Sequence, residues 1–352
     1  MNPNHIFGIR LSAAAVLAVL VMSSFGTAAA ATTSTSTTSI PGPTAEYASW
    51  QQQITNTPTP LSGGCFQATY PSLQWVTGGS NCTTPTSLTP FSVGNGNDWE
   101  AKISSGHIGE SQGYISAMTG FSSEADSVLG TNYYSIQDNS NTWTCNTSDT
   151  GNVNADCWEQ FIFANDPGSS SGLVLIQYWL IGYVSGTITA CPTTHTGITS
   201  WVQSGTSCYA DSSVTYTTPQ ENPSSLTSYQ QKGYADLSGN DEAVFCHTTT
   251  CYAVAVAYTV LDLAAGWTYA EWNVLGDGGG DAACINGSGS PCSGPTGSPS
   301  LTVEQYLYNS AGTNTASSCL SGGTSGETNS LTLGSCSAIV SPAPYYMYFA
   351  MT

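Results

Sequence analysis

Two polar side chains stand where apolar ones are expected. The run from Leu173 to Val184 is almost wholly apolar, yet Gln177 lies at its middle. The run from Trp267 to Leu275 is rich in aromatic residues and carries Glu271. Strand alternation puts Gln177 on one face with Leu175, Trp179 and Ile181, and Glu271 on one face with Trp267, Tyr269 and Asn273. A buried carboxylate costs several kcal/mol unless it is paired or protonated, and a buried amide needs hydrogen-bond partners. Once a leader containing Arg10 is removed, Lys102 and Lys232 are the only strong bases against 22 Asp and Glu. Glu271 is therefore hydrogen-bonded, protonated or open to a cleft. An aromatic surround raises a carboxyl pKa, which suits general acid–base work in acid. The plain structural alternative is a Gln and a Glu that satisfy each other or nearby backbone.

The elements that must position these residues are short strands. From Cys65 to the end, short apolar or alternating runs are separated by clusters of Gly, Asn, Ser and Pro, the pattern of an all-β sandwich or barrel. The clearest strands are expected at Gly113–Met118, Tyr133–Gln137, Gln160–Ala164, Leu173–Val184, Tyr252–Leu263, Trp267–Leu275, Thr302–Tyr308 and Tyr345–Met351. One short helix is expected over Thr44–Ile54. Residues 61–352 read as one domain, and 32–60 as a Ser/Thr-rich linker or propeptide.

Residues 1–31 read as a signal peptide: Arg10, an apolar stretch from Leu11 to Met22, then Ala28–Ala31 as a small-residue cleavage site. The apolar stretch is too short to span a bilayer. The remaining chain is strongly anionic at pH 7, which argues against nucleic-acid or anionic-membrane partners. Charged residues make up only 7% of the chain, against the usual ~25%. Ser, Thr, Asn, Gln and Tyr carry the polarity instead. Below pH ~4 carboxylates are neutral, and this chain keeps almost no positive charge to strain the fold. The composition reads as adaptation to an acidic extracellular environment. A secreted protein of neutral surroundings with few lysines is the blander reading.

All 12 cysteines follow the leader, so disulfides are expected. Sequence leaves the pairing open. The simplest scheme joins neighbours: Cys65–Cys82, Cys145–Cys157, Cys191–Cys208, Cys246–Cys251, Cys284–Cys292 and Cys319–Cys336. Closing a loop of such medium size contributes ~3 kcal/mol in the chain-entropy model. There is no C-x-x-C pair or H-E-x-x-H, so no metal site and no cofactor are expected.

Leu175-Ile176-Gln177 and Ala270-Glu271-Trp272-Asn273-Val274 resemble, in order and broad separation, the segments carrying the catalytic Gln and Glu of glutamic peptidases of the eqolisin type. The resemblance extends over about Phe161 to Val274. It implies an antiparallel two-sheet sandwich of the concanavalin-like or jelly-roll type and a secreted, acid-acting endopeptidase. Glu271 would act as general base on a water and then protonate the leaving amine. Gln177 would orient that water and donate to the oxyanion. Trp179, Trp267 and Tyr269 would line the substrate cleft. The partner implied is a polypeptide substrate, bound by a monomer. The aromatic segments that the family carries between its two motifs are not recognisable here.

Other signals are weaker. Asp149-Thr150-Gly151 matches the aspartic-peptidase tripeptide but occurs once. Gly168-Ser169-Ser170-Ser171-Gly172 fits G-x-S-x-G but precedes a strand rather than a helix. His107, His195 and His247 read as polar surface residues. Asp98 and Glu100, or Asp241 and Glu242, offer carboxylate pairs for glycoside hydrolysis, and read more simply as exposed turn residues. Asp277 and Asp281 in a glycine-rich loop offer calcium ligands that acid would weaken. Two other functions compete with the peptidase: a carbohydrate-binding module using its Tyr and Trp, and an acid-stable structural surface protein.

Overall fold

In the computed structural model, residues 45–85, 98–145, 155–195, 198–278, 280–294 and 296–352 are described. Residues 1–31, expected to be a signal peptide, the 32–44 segment and Asp149-Thr150-Gly151 lie outside them.

Alternation of apolar and polar residues in runs of five to twelve builds two large antiparallel sheets. The first orders its strands as Val76–Thr77, Gly64–Thr69, Thr250–Ala257, Asn240–His247, Tyr229–Tyr234, Ile108–Thr119, Ser300–Asn309, Tyr346–Met351 and Leu333–Ile339. The second runs Val202–Ser204, Ser207–Asp211, Ser171–Ile181, Asp156–Asp166, Tyr134–Ser140, Tyr269–Leu275, Asp98–Ile103 and Ser317–Gly322. A smaller sheet of Thr328–Asn329, Ala282–Ile285, Glu124–Asp126 and Gly130–Thr131 completes the fold.

The two large sheets pack face to face. Phe163 of the second stacks on Phe245 of the first with ring centroids 3.9 Å apart. Two glycines permit this approach. A Cβ at Gly113 would lie 2.3 Å from the Trp272 ring, and one at Gly233 would lie 2.2 Å from the Phe161 ring. Asp138 ties the layers through polar contacts: it accepts from Ser111 Oγ at 2.9 Å and from the Gly233 N–H at 3.1 Å.

All six disulfides join sequence neighbours, as the simplest scheme expects. Two of them bridge layers. Cys65–Cys82 links a first-sheet strand to one paired with the second, and Cys319–Cys336 joins the far edges of both.

The helix forms over Ala45–Thr55 and docks on the outer face of the first sheet. Trp50 and Ile54 are buried there against Phe66, Val244 and Ala253. Gln51 donates to the Thr248 carbonyl at 2.8 Å, and Thr59 Oγ1 donates to Glu242 at 2.6 Å. Residues 45–60 are thus part of the folded domain rather than linker, because the helix buries an apolar stripe that a linker would leave in water. Lys232 lies beneath the helix, 3.4 Å from Glu110, and donates to the Thr55 carbonyl. No helix among the described residues is long and apolar enough to cross a membrane.

Candidate active site

The outer face of the second sheet carries a row of polar residues. Directly opposed positions of an antiparallel pair share a face. Asp211 pairs with Gln177, Gln177 with Gln160, Gln160 with Asn139, Asn139 with Glu271, and Glu271 with Glu100. Six polar side chains from six adjacent strands therefore lie in register. All of them are buried. The next positions along the same face add Gln137, Asn273 and Asp98.

The row is joined by amide hydrogen bonds. Gln177 Nε2 donates to Asp211 Oδ1 at 2.8 Å, and its Oε1 accepts from the Trp179 indole at 2.9 Å. The same indole N–H lies 3.1 Å from Gln160 Oε1. Gln160 Nε2 donates to Gln137 Oε1 at 3.0 Å and to Asn139 Oδ1 at 3.2 Å. Asn139 Nδ2 reaches Glu271 Oε2 at 3.4 Å.

Glu271 is asymmetric. Its Oε2 accepts from the Thr324 N–H at 2.8 Å, the Ser325 N–H at 2.9 Å and Thr324 Oγ1 at 3.2 Å. Its Oε1 is buried with no hydrogen-bond partner among the described residues. A small cavity of ≈ 100 Å³ is lined by Glu271, Asp98, Asn273 and Glu327. Asn273 Nδ2 donates to Asp98. Glu327 accepts from Ser325 Oγ, and also from the Gly280 N–H at 3.2 Å.

Burial dominates the electrostatics of this group. It raises the Glu271 carboxyl, opposed by the N–H groups of Ser325 and Thr324 and by the Asn139 amide. Asp98 is held well above the usual carboxylate range, first by burial and then by Glu271. Glu100 is pushed up to about 7 by the same two causes. A neighbouring carboxylate disfavours ionisation of the next, so the cluster holds protons to higher pH than isolated carboxyls do.

No protein-family model, curated protein or solved structure matches this chain. The site is therefore read from its own geometry.

That geometry separates the expected dyad. Gln177 and Glu271 do point to one face, but two strands lie between them. Three strand spacings of ~4.8 Å place their backbones roughly 14 Å apart, and the Gln160 and Asn139 side chains fill the interval. One water is not shared by both. The amide beside Glu271 is Asn139.

The three expected cleft residues also divide. Trp179 lies on the Gln177 face, packed against Trp158 and Tyr209. Tyr269 is half-buried at the start of the Glu271 strand, near enough to Glu100 for that carboxyl to raise its pKa, after burial. Trp267 is fully buried in the sandwich interior, 5.6 Å from Phe161. The strand begins at Tyr269, after a 3-10 turn at Leu263–Ala265, so alternation does not extend back to Trp267.

Asp98 and Glu100 are not turn residues. They are buried on a central strand beside Glu271, because Ala101 and Ile103 face the core while Asp98 and Glu100 sit on the polar row. Asp241 and Glu242 are likewise buried within Asn240–His247. His195 is buried against Trp201, and His247 is 2.8 Å from Glu221. Sequence reading missed Asn139, Gln160, Thr324 and Ser325. Asn139 lies in an alternating polar run, Tyr134–Ser140, that continues past the strand end expected at Gln137.

Proposed function

We propose that the chain is a secreted, acid-acting endopeptidase in which Glu271 exchanges the proton with water and with the leaving amine. The observation that carries this reading is the asymmetry of Glu271: one oxygen is held by the Thr324 and Ser325 N–H groups, the Thr324 hydroxyl and the Asn139 amide, and the other has no partner among the described residues. A carboxylate held in this way is oriented without losing its free lone pairs. Ionised Glu271 removes a proton from a water as that water adds to the peptide carbonyl. Protonated Glu271 then gives the proton to the departing nitrogen, so the group ends as it began. The amide of Asn139 stands nearest for the developing oxyanion. Asp98 and Glu100 are protonated in acid, and their ionisation as pH rises adds negative charge beside Glu271, which sets the upper end of the pH range. Gln177 acts at the far end of the amide chain, as a positioning residue for Gln160. Because Thr324 and Ser325 cover Glu271, substrate entry requires the 323–327 segment to move.

The competing readings, a carbohydrate-binding module or an inert surface protein, predict no hydrolysis. Incubation of the secreted protein with a denatured protein substrate from pH 2 to 7 separates them. Cleavage confined to acid, insensitive to pepstatin and chelators, supports the peptidase. Absence of cleavage at every pH removes it.

A further inference from the structure

The outer face of the first sheet carries a second, chemically different groove. Beside the docked helix lies a cavity of ≈ 590 Å³, lined by Gln52, Gln112, Tyr114, Gln230, Tyr306 and Tyr308 among others. Among the described residues, no Asp, Glu, Lys, Arg or His lines it. Strand alternation produces this lining. Residues 300–309 alternate half-buried and buried, with Glu304, Tyr306 and Tyr308 outward and Val303, Gln305 and Leu307 inward.

The tyrosines form a continuous strip. Tyr114 and Tyr306 have ring centroids 5.8 Å apart and an interplanar angle of 15°. Tyr306 and Tyr346 are 5.1 Å apart at 23°. The hydroxyls of Tyr114 and Tyr306 both donate to Glu304 Oε2, at 2.8 and 2.9 Å, which fixes the rings and engages that carboxylate, while Glu110, opposite Tyr308, is paired with Lys232. Around the strip stand amides. Gln230 Oε1 is buried with no partner among the described residues. Gln52 lines the groove beside Tyr308.

We propose that this groove binds a neutral oligosaccharide. Sugar rings place C–H faces on aromatic rings and hydroxyls on amide donors and acceptors, and this groove offers both. An anionic polymer finds no cation here, and a cationic one finds Glu304 already engaged. A proline-rich peptide stacks on tyrosine but lacks the N–H groups that would use the groove's glutamines. The groove is on the sheet opposite to Glu271, so its occupancy is independent of the peptidase reading.

The test is titration of the full chain at pH 4 with cellohexaose, laminarihexaose, chitohexaose and maltohexaose, followed by calorimetry. Saturable binding of at least one is expected. Tyr306→Ala should weaken it at least tenfold, and Glu271→Gln should leave it unchanged. Gln52→Ala, on the exposed side of the helix, should weaken it severalfold, and it keeps the test valid if Tyr306→Ala does not fold. Absence of binding by all four sugars at millimolar concentration overturns the proposal. So does binding that survives both groove substitutions, or saturable binding of a polyproline peptide in their place.

Discussion

Glu271 and Glu100 are direct cross-strand partners, both buried, on adjacent antiparallel strands. Like charges placed directly opposite destabilise a sheet. The described residues contain two lysines, and neither is bonded to this pair: Lys232 is engaged by Glu110 and the Thr55 carbonyl, and Lys102 is exposed. The pair is tolerated because at least one member stays protonated. That dependence on protons recurs elsewhere. Glu124 is pushed up to about 9 by burial, Asp126 and Asp277. Glu159 and Asp241 are held well above the usual range within the sandwich, both chiefly by burial.

Stability should therefore fall as pH rises. These carboxyls have folded pKa values above their unfolded values of ~4, so the native state binds more protons than the unfolded state above that pH. The stabilisation is full below pH ~4 and is lost as pH rises toward about 7 for Glu100 and about 9 for Glu124. Each extra native-bound proton costs about 1.4 kcal/mol per pH unit across its window. Urea denaturation from pH 3 to 8 should give a midpoint that declines monotonically above pH 4. A maximum near neutrality would contradict this.

Glu124→Gln should flatten that decline. An amide at position 124 removes one proton-linked group, so its midpoint should change less between pH 5 and 8 than that of the wild type. Equal pH slopes in the two proteins would show that Glu124 titrates normally.

The amide row makes Asn139 and Gln177 unequal. Asn139→Ala should lower kcat at least tenfold, as expected for the amide beside Glu271. Gln177→Ala removes the amide donor to Asp211 and one of the two acceptors of the Trp179 indole, which costs about 1–3 kcal/mol of stability. Its effect on kcat should be smaller than that of Asn139→Ala. The two variants, compared by kcat and by urea midpoint at pH 4, should reverse rank between the measurements.

Gly113→Ala should destabilise the fold by about 1–3 kcal/mol through overpacking, because its Cβ would meet Trp272. The addition of Trp272→Leu should recover part of that loss if the clash is the cause, as measured by a double-mutant cycle.

Much of the fold was legible in the sequence. Period-two alternation places Gln177 with Leu175 and Trp179, and the strand shows the same face. Neighbour pairing of cysteines also holds, because hairpins bring adjacent cysteines together, as at Cys246 and Cys251. Strand order is a different matter. Nothing local in Asp98-Trp99-Glu100 tells that it will lie against Tyr269–Leu275, over 160 residues away, and so its carboxyls read as surface groups. The interval between Gln177 and Glu271 depends on the same non-local pairing. Two strands are inserted between them, and motif spacing along the chain is blind to that. Trp267 was misplaced for a local reason: the turn before it resets the alternation at Tyr269.

The central claim rests on Glu271, and its most direct test is the rate of peptide cleavage across pH 3 to 6 by the wild type and by Glu271→Gln, with folding of both verified by circular dichroism. The account predicts acid cleavage by the wild type and a loss of at least a thousandfold in the folded variant. Equal cleavage by the two proteins, or none by either, would contradict it.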